Sequence, residues 1–286
     1  MQFFEFWARA DGKANGPAGD ISVQCVGYSN HSLEEALRVA EQRAQAAANA
    51  IANNQPVGND YYGVPFREEV VERFEEGGQT VAVISRNRYG ALVLNTPNVL
   101  FADVDKPTEK PATQSFSLFK LLFGQSKEPE KAAPTFEERL VDSIREECER
   151  NTGMGLRLYR TTKGYRIALT TQTIPAREAR AKRLLQGLGS DRLYINLCVA
   201  QDCYRARLTP KPWRCGSSRP LYGFPFNNLQ EENFHREWVA GYDQARQGYA
   251  TCALIGDFGS AERDPIADQI IQLHDHYVLD GDKPIA

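Results

Sequence analysis

Two aspartates, Asp103 and Asp105, close the apolar run NVLFADVD. Side chains two residues apart on a strand point to the same face, so both carboxylates would stand together at the strand end. Like charges held that close repel unless a proton or cation lies between them, and hard carboxylate oxygens suit Mg²⁺ or Mn²⁺. The pair is a candidate cation holder. The plainer alternative is a strand ending in solvent, with Asp105-Lys106-Pro107 as its turn.

A counterpart for anions lies further along, in CYRARLTPKPWR. Arg205 and Arg207 share one strand face, and guanidinium forks bind phosphate oxygens in bidentate fashion. Lys211 sits between Pro210 and Pro212, which restrict its backbone. The segment GLRLYRTTKGYRIALTT reads as a hairpin turning at Thr162-Lys163-Gly164 and adds Arg160, Lys163 and Arg166. From Leu156 to Arg219 there are 14 Lys and Arg against three acids, a net +11 inside a chain whose total is −3. Such a concentration is an electrostatic footprint for phosphate. Ion pairing within the fold is the competing use.

These residues need elements to carry them. Residues 1 to 58 read as a ββα appendage: two strands around DGKANGPAG, then an alanine-rich helix opening at Ser32 with Glu35 three residues on. A core is expected over 59 to 260. Within it, Phe66 to Glu76 reads as a helix stopping at Gly77-Gly78, and TVAVIS, ALVLN and NVLFADVD read as strands. Residues 106 to 134, rich in Pro, Lys, Glu, Ser and Gln, read as a flexible insertion. The apolar stretch Ser115 to Gly124 inside it is a candidate cap on the core or a docking peptide for a partner protein.

Thr135 and Glu138 form a capping box for a helix to about Asn151. A basic helix covers Ala176 to Gln186, and LYINLCVA reads as a strand beginning just after Asp191. A helix from Leu229 to Gln247, the strand YATCALIGD and a helix near Pro265 to Leu273 follow, residues 261 to 286 forming a C-terminal helix and tail.

Composition bounds the rest. With 286 residues and 42% hydrophobic content, a well-filled core needs neither disulfides nor metals. No run of about 18 apolar residues occurs, and MQFFEFWARADG lacks the basic start and apolar stretch of a signal peptide, so a cytoplasmic protein without a membrane partner is expected. Six cysteines without a CxxC pair argue for buried thiols. Cys198, Cys203, Cys215 and His235 are a looser candidate zinc set. His274-Asp275-His276 is a third candidate, against the plainer reading of a polar helix end.

The order of these elements resembles the archaeo-eukaryotic primase superfamily. The strand Leu100 to Asp105 matches an hDhD motif, Thr161 to Arg166 stands where the family has sxH, Asp191 is the candidate for a later hD motif, and the basic strand ends in RLTPKP. The resemblance spans about residues 92 to 215, and Lys163 or Arg166 occupies the place of the family's histidine. It implies an α+β fold: a mixed, mostly antiparallel sheet with flanking helices, RRM-like as in primases, beside the N-terminal ββα unit. It also implies metal-dependent nucleotidyl transfer. Asp103, Asp105 and Asp191 would bind the metals. Arg160, Lys163, Arg166, Arg205, Arg207 and Lys211 would bind nucleotide phosphate, with a nucleoside triphosphate, DNA or RNA as partner.

Two other classes use the same residues. VLFADVDKPT is similar to the hhhDxDGT motif of haloacid-dehalogenase-like phosphohydrolases, in which Asp103 would be the nucleophile and Asp105 the acid/base. A non-catalytic nucleic-acid binder would use the +11 segment, with Tyr159, Tyr165, Tyr204 and Trp213 as stacking surfaces.

Overall fold

The computed structural model describes residues 1–17, 19–57, 66–107 and 133–286. The Ser115 to Gly124 segment lies outside the described residues. β1 (Phe6–Gly16) and β2 (Gly19–Ser29) form an antiparallel hairpin. Across it lies α1 (Leu33–Ala52), with Ala36, Ala40, Ala44 and Ala48 inward at helical spacing. Ser32 Oγ accepts from the Glu35 N–H and caps this helix.

The chain continues through β3 (Glu69–Glu76), β4 (Gln79–Arg86), β5 (Leu92–Thr96) and β6 (Phe101–Asp105). Next come α2 (Phe136–Arg150), the hairpin β7 (Gly155–Thr161) and β8 (Gly164–Leu169), and helices α3 (Ala179–Gly187) and α4 (Arg192–Gln201). Last are β9 (Tyr204–Arg207), α5 (Leu229–Arg246), β10 (Cys252–Gly259) and α6 (Pro265–Val278). The capping box at Thr135 and Glu138 is complete in both directions.

The core strands form two four-stranded sheets, in the orders β3-β4-β5-β9 and β10-β7-β8-β6. Every pairing between named strands is antiparallel, so the protein is α+β. In the second sheet β8 lies between β6 and β7 and runs opposite to both. β6 and β7 are thus mutually parallel, separated in sequence by α2: a split β-α-β unit. One apolar core takes side chains from both sheets and from α2, α3, α4 and α6. Among the described residues no helix is long and apolar enough to cross a membrane.

Two expectations are corrected. Phe66 to Glu76 is not a helix; its body is the strand β3. Gly77 and Gly78 both have positive φ, 57° and 76°, and make a two-residue turn that folds β3 back onto β4 instead of stopping a helix. As the outer strand of its sheet, β3 keeps glutamates and Arg73 toward solvent, which masks the strand signal in the sequence. LYINLCVA is not a strand either; it belongs to α4. Asp191 Oδ1 accepts from the Tyr194 N–H, an N-cap that outweighs the apolar run's strand-like composition, and Ile195 and Cys198 bury one helical face.

Beneath the second sheet lies a buried polar network. Tyr159 Oη donates to Asp275, Arg157 pairs with Asp257 and Asp275, and His274 Nδ1 donates to Asp275 Oδ1 at 2.9 Å. The other ring nitrogen, Nε2, then accepts from Arg166 Nη1 at 2.9 Å. This tautomer is neutral. Burial, followed by the nearby Arg166 and Arg157 charges against the opposing Asp275, lowers the His274 pKa from 6.5 to about 4. An unfolded chain takes up this proton first, so stability present above about pH 6.5 is expected to fall by roughly 3 kcal/mol as pH drops to 4. Urea midpoints measured across that range should show the slope in the native protein, and His274→Gln should flatten it.

Candidate functional site

Both strands that carry the chemistry are sheet edges. β6 is the last strand of one sheet and β9 the last of the other, and a single side chain joins them. Tyr194 Oη donates to Phe101 O on β6 at 2.7 Å and accepts from the Arg205 N–H on β9 at 3.2 Å. Burial holds this phenol protonated, well above its ordinary pKa. Nearer the end of β6, Ser190 Oγ accepts from Asp103 N–H, and the Asp191 N–H donates to Asp103 O at 2.9 Å. The start of α4 thus closes the open edge of β6 and brings Asp191 against Asp103.

On β6, Ala102 and Val104 face the core while Asp103 and Asp105 share the opposite face. Asp105 stands opposite Gly164 in β8. Only glycine fits there, because a Cβ would come within 2.1 Å of Val104 O. The Asp105 carboxyl is raised above the usual range, first by burial and then by Asp103 and Asp191, with Lys211 and Lys163 pulling the other way. Asp103 and Asp191 thus act on Asp105 at this end of the strand, and Lys211 and Lys163 partly offset them.

The basic side is as crowded. The Lys211 amine is lowered by burial and then by Arg207, Arg214 and Lys163, while Asp103 opposes the shift. Arg207 is pushed down to about 10, chiefly by burial, then by Arg166 and Arg214, again against Asp103. Its Nε is buried without a hydrogen-bond partner. An orphaned guanidinium nitrogen in a cluster of like charges is costly and calls for an acceptor-rich ligand. Asp103, Asp105 and Asp191 thus meet Lys163, Arg207 and Lys211 in one region.

The remaining sequence candidates are engaged elsewhere. Arg205 pairs with Glu68 at 2.6 Å, with its guanidinium carbon 4.6 Å from the Phe66 ring centroid. Arg160 grips Glu137 through two bonds of 2.6 and 2.7 Å. Arg166, although opposite Asp103 in register, is buried and turned toward His274 and Arg207 O. These forks are structural, so the +11 window overstates the free positive surface. The partners Glu68, Glu137, Asp257 and Asp275 all lie outside the window that was counted.

Arg214, and the Tyr89 and Arg219 that join Trp213 beside Lys211, were missed as site residues. The Tyr89 and Trp213 rings meet edge to face at 5.4 Å, Arg219 lies over both, and the Lys211 amine is 5.6 Å from the Trp213 centroid. Trp213 is 44% exposed, whereas Tyr159, Tyr165 and Tyr204 are core residues. The sequence marked Trp213 as a stacking surface, but Tyr89 lies far from it along the chain and left no local signal.

Cys198, Cys203 and Cys215 are buried, and His235 Nδ1 donates to Tyr222 O. Among the described residues no three His, Cys, Asp or Glu side chains converge as a metal-ligand group. Asp103 and Asp105 form an open pair of hard oxygen donors, which fits a cation that keeps water or substrate oxygens in its shell.

No protein-family model, curated protein or solved structure matches this chain. The site is tested first by its scaffold. Tyr194→Phe strands the Phe101 carbonyl and the Arg205 N–H, and is expected to cost about 1–3 kcal/mol of stability in denaturant titrations. Gain of stability in this variant would show that the hydroxyl does not hold the two edges together.

Proposed function

We propose that the protein is a metal-dependent nucleotidyltransferase of primase-like type, acting on nucleoside triphosphates with DNA or RNA. The observation carrying this reading is the meeting of Asp103, Asp105 and Asp191 with Lys163, Arg207 and Lys211 across two sheet edges. The split β-α-β unit that delivers the acid pair supports a primase-like, RRM-like core. The uniformly antiparallel sheets lend nothing to the phosphohydrolase alternative.

Asp103 and Asp105 would hold Mg²⁺ or Mn²⁺, with Asp191 alongside; Asp191 spends one oxygen on the α4 cap. Held there, such an ion would supply Lewis-acid activation of an attacking hydroxyl and charge compensation for a departing pyrophosphate. Arg207 and Lys211 bind and orient the triphosphate, and the vacant Arg207 Nε supplies a donor aimed at no protein acceptor. Lys163, at the exposed hairpin turn, adds charge beside them. Trp213, flanked by Lys211 and Arg219, offers a stacking face for a base.

Incorporation of labelled NTP or dNTP with Mn²⁺ is expected from the native protein and should disappear in Asp103→Ala plus Asp105→Ala. Lys211→Ala should cut kcat/KM by about 10²-fold, whereas Arg205→Ala should act mainly by lowering stability. Absence of incorporation on every primed and unprimed template would sink this proposal. A salt-dependent gel shift that persists without both aspartates, in a protein showing no turnover, would support a binding role instead.

A further inference from the structure

One face of α3 carries charge that has no partner inside the fold. Ala181, Leu184 and Leu185 turn into the core, and the opposite side presents Arg180, Lys182, Arg183 and Gln186 to solvent. Arg177, just before the helix, is tied to Asp202 and to Val199 O. Arg180, Lys182 and Arg183 make no hydrogen bond or ion pair among the described residues.

Their placement does not serve the helix. Cations stabilise a helix near its C-terminus, where the dipole is negative, and acids stabilise its start. In α3 the first turn holds Arg180 and no acid, the last turn holds no base, and Glu178 at the N-cap makes no side-chain cap bond. A polar cleft of about 380 Å³ adjoins this end, where Arg180 meets the connection from α2 to β7 and the pair Thr171 and Gln172. The other arginine lining it, Arg150, is held by Glu147 at 2.7 Å, and Asn151 donates to the same carboxylate. Arg180 is thus the open cation among the described residues of the cleft.

The chemistry of this face selects its partner. None of the exposed large apolar side chains lies on α3, so the face lacks the anchors that a protein or membrane partner uses. No aromatic ring lies on α3 or lines the cleft, so unstacked bases find no platform. What remains is a row of charged donors: Arg180 and Arg183 lie one turn apart, with Cβ atoms about 5–6 Å from one another. A duplex, with one negative charge per ~1.7 Å of its axis, supplies phosphates at that density whatever its sequence. The chain leaves α3 at Gly187 and reaches Asp191, beside Asp103, within a span of at most about 14 Å, so the face adjoins the acid group. We infer that the exposed face of α3 is a docking surface for double-stranded nucleic acid, held by its phosphates without reading of bases. This partner does not depend on chemistry at Asp103 and Asp105.

Anisotropy titrations of the whole chain with a fluorescent DNA duplex test this. The native protein should bind, and more weakly as salt rises. The triple variant Arg180→Gln, Lys182→Gln and Arg183→Gln should lose about tenfold or more in affinity at low salt, and its slope of log K against log salt should flatten by about 2–3. Because these side chains are exposed and unpaired, its melting temperature should not change. Removing three exposed cations elsewhere, with Lys13→Gln, Arg38→Gln and Arg236→Gln, should change affinity by no more than about twofold, which separates this surface from net charge. Glu178→Gln should tighten binding. A duplex affinity that the triple variant keeps, or an equal loss in the control variant, overturns the inference. So does a single strand that the triple variant weakens as much as it weakens the duplex, and so does tight binding of polyglutamate in place of duplex, the mark of a protein-docking face. The Asp103→Asn plus Asp105→Asn protein should keep duplex binding while losing incorporation, so failure of either reading is seen separately.

Discussion

The Tyr194 hydroxyl lies where two sheets with no shared strand approach each other, donating to the β6 carbonyl of Phe101 and accepting from the β9 amide of Arg205. Inside a core, an unpaired carbonyl or amide costs far more than the net worth of the bond that satisfies it. The two edges are therefore held at one spacing. Everything of chemical interest follows from that spacing: the acids end β6, the basic residues end and follow β9, and neither strand alone makes a site. The same helix that supplies Tyr194 supplies Asp191, so the α4 cap and the third carboxylate are one feature.

Much of this was legible from local rules. The capping residues Ser32 and Thr135, the hairpin at Lys163-Gly164 and the paired face of Asp103 and Asp105 are consequences of short-range geometry, and short-range geometry is written in adjacent residues. The misreadings have the same origin. Glu-rich β3 has helical composition, but the Gly77-Gly78 turn and an available partner in β4 decide its state. LYINLCVA has strand composition, but an N-cap at Asp191 starts a helix first. In each case a residue at the boundary outranked the average over the segment.

Charge was less legible than shape. A count along the chain found a phosphate footprint, yet Arg157, Arg160 and Arg205 are held by acids far away in sequence. Pairing of this kind is set by tertiary contact and leaves no trace in a local window. What survives is smaller and more specific: Arg207 and Lys211, their charged forms destabilised by burial and by neighbouring cations. Arg9, Arg67, Arg86 and Arg88 show the reverse case, because they lie on two strands and two connecting segments and join only in the fold.

β6 ends its sheet, and a strand in that position normally displays a ladder of unpaired amides and carbonyls on which another chain can grow. Here Ser190, Asp191 and Tyr194 occupy that ladder, so the first turn of α4 shields it as well as shaping a site. The apolar sequence of β6 makes the shield consequential. Should the α4 cap fray, the exposed segment would be a short, hydrophobic, β-prone template of the kind that seeds aggregates. Selection acting on Asp191 and Tyr194 would then be guarding the solubility of the chain as much as any reaction it performs.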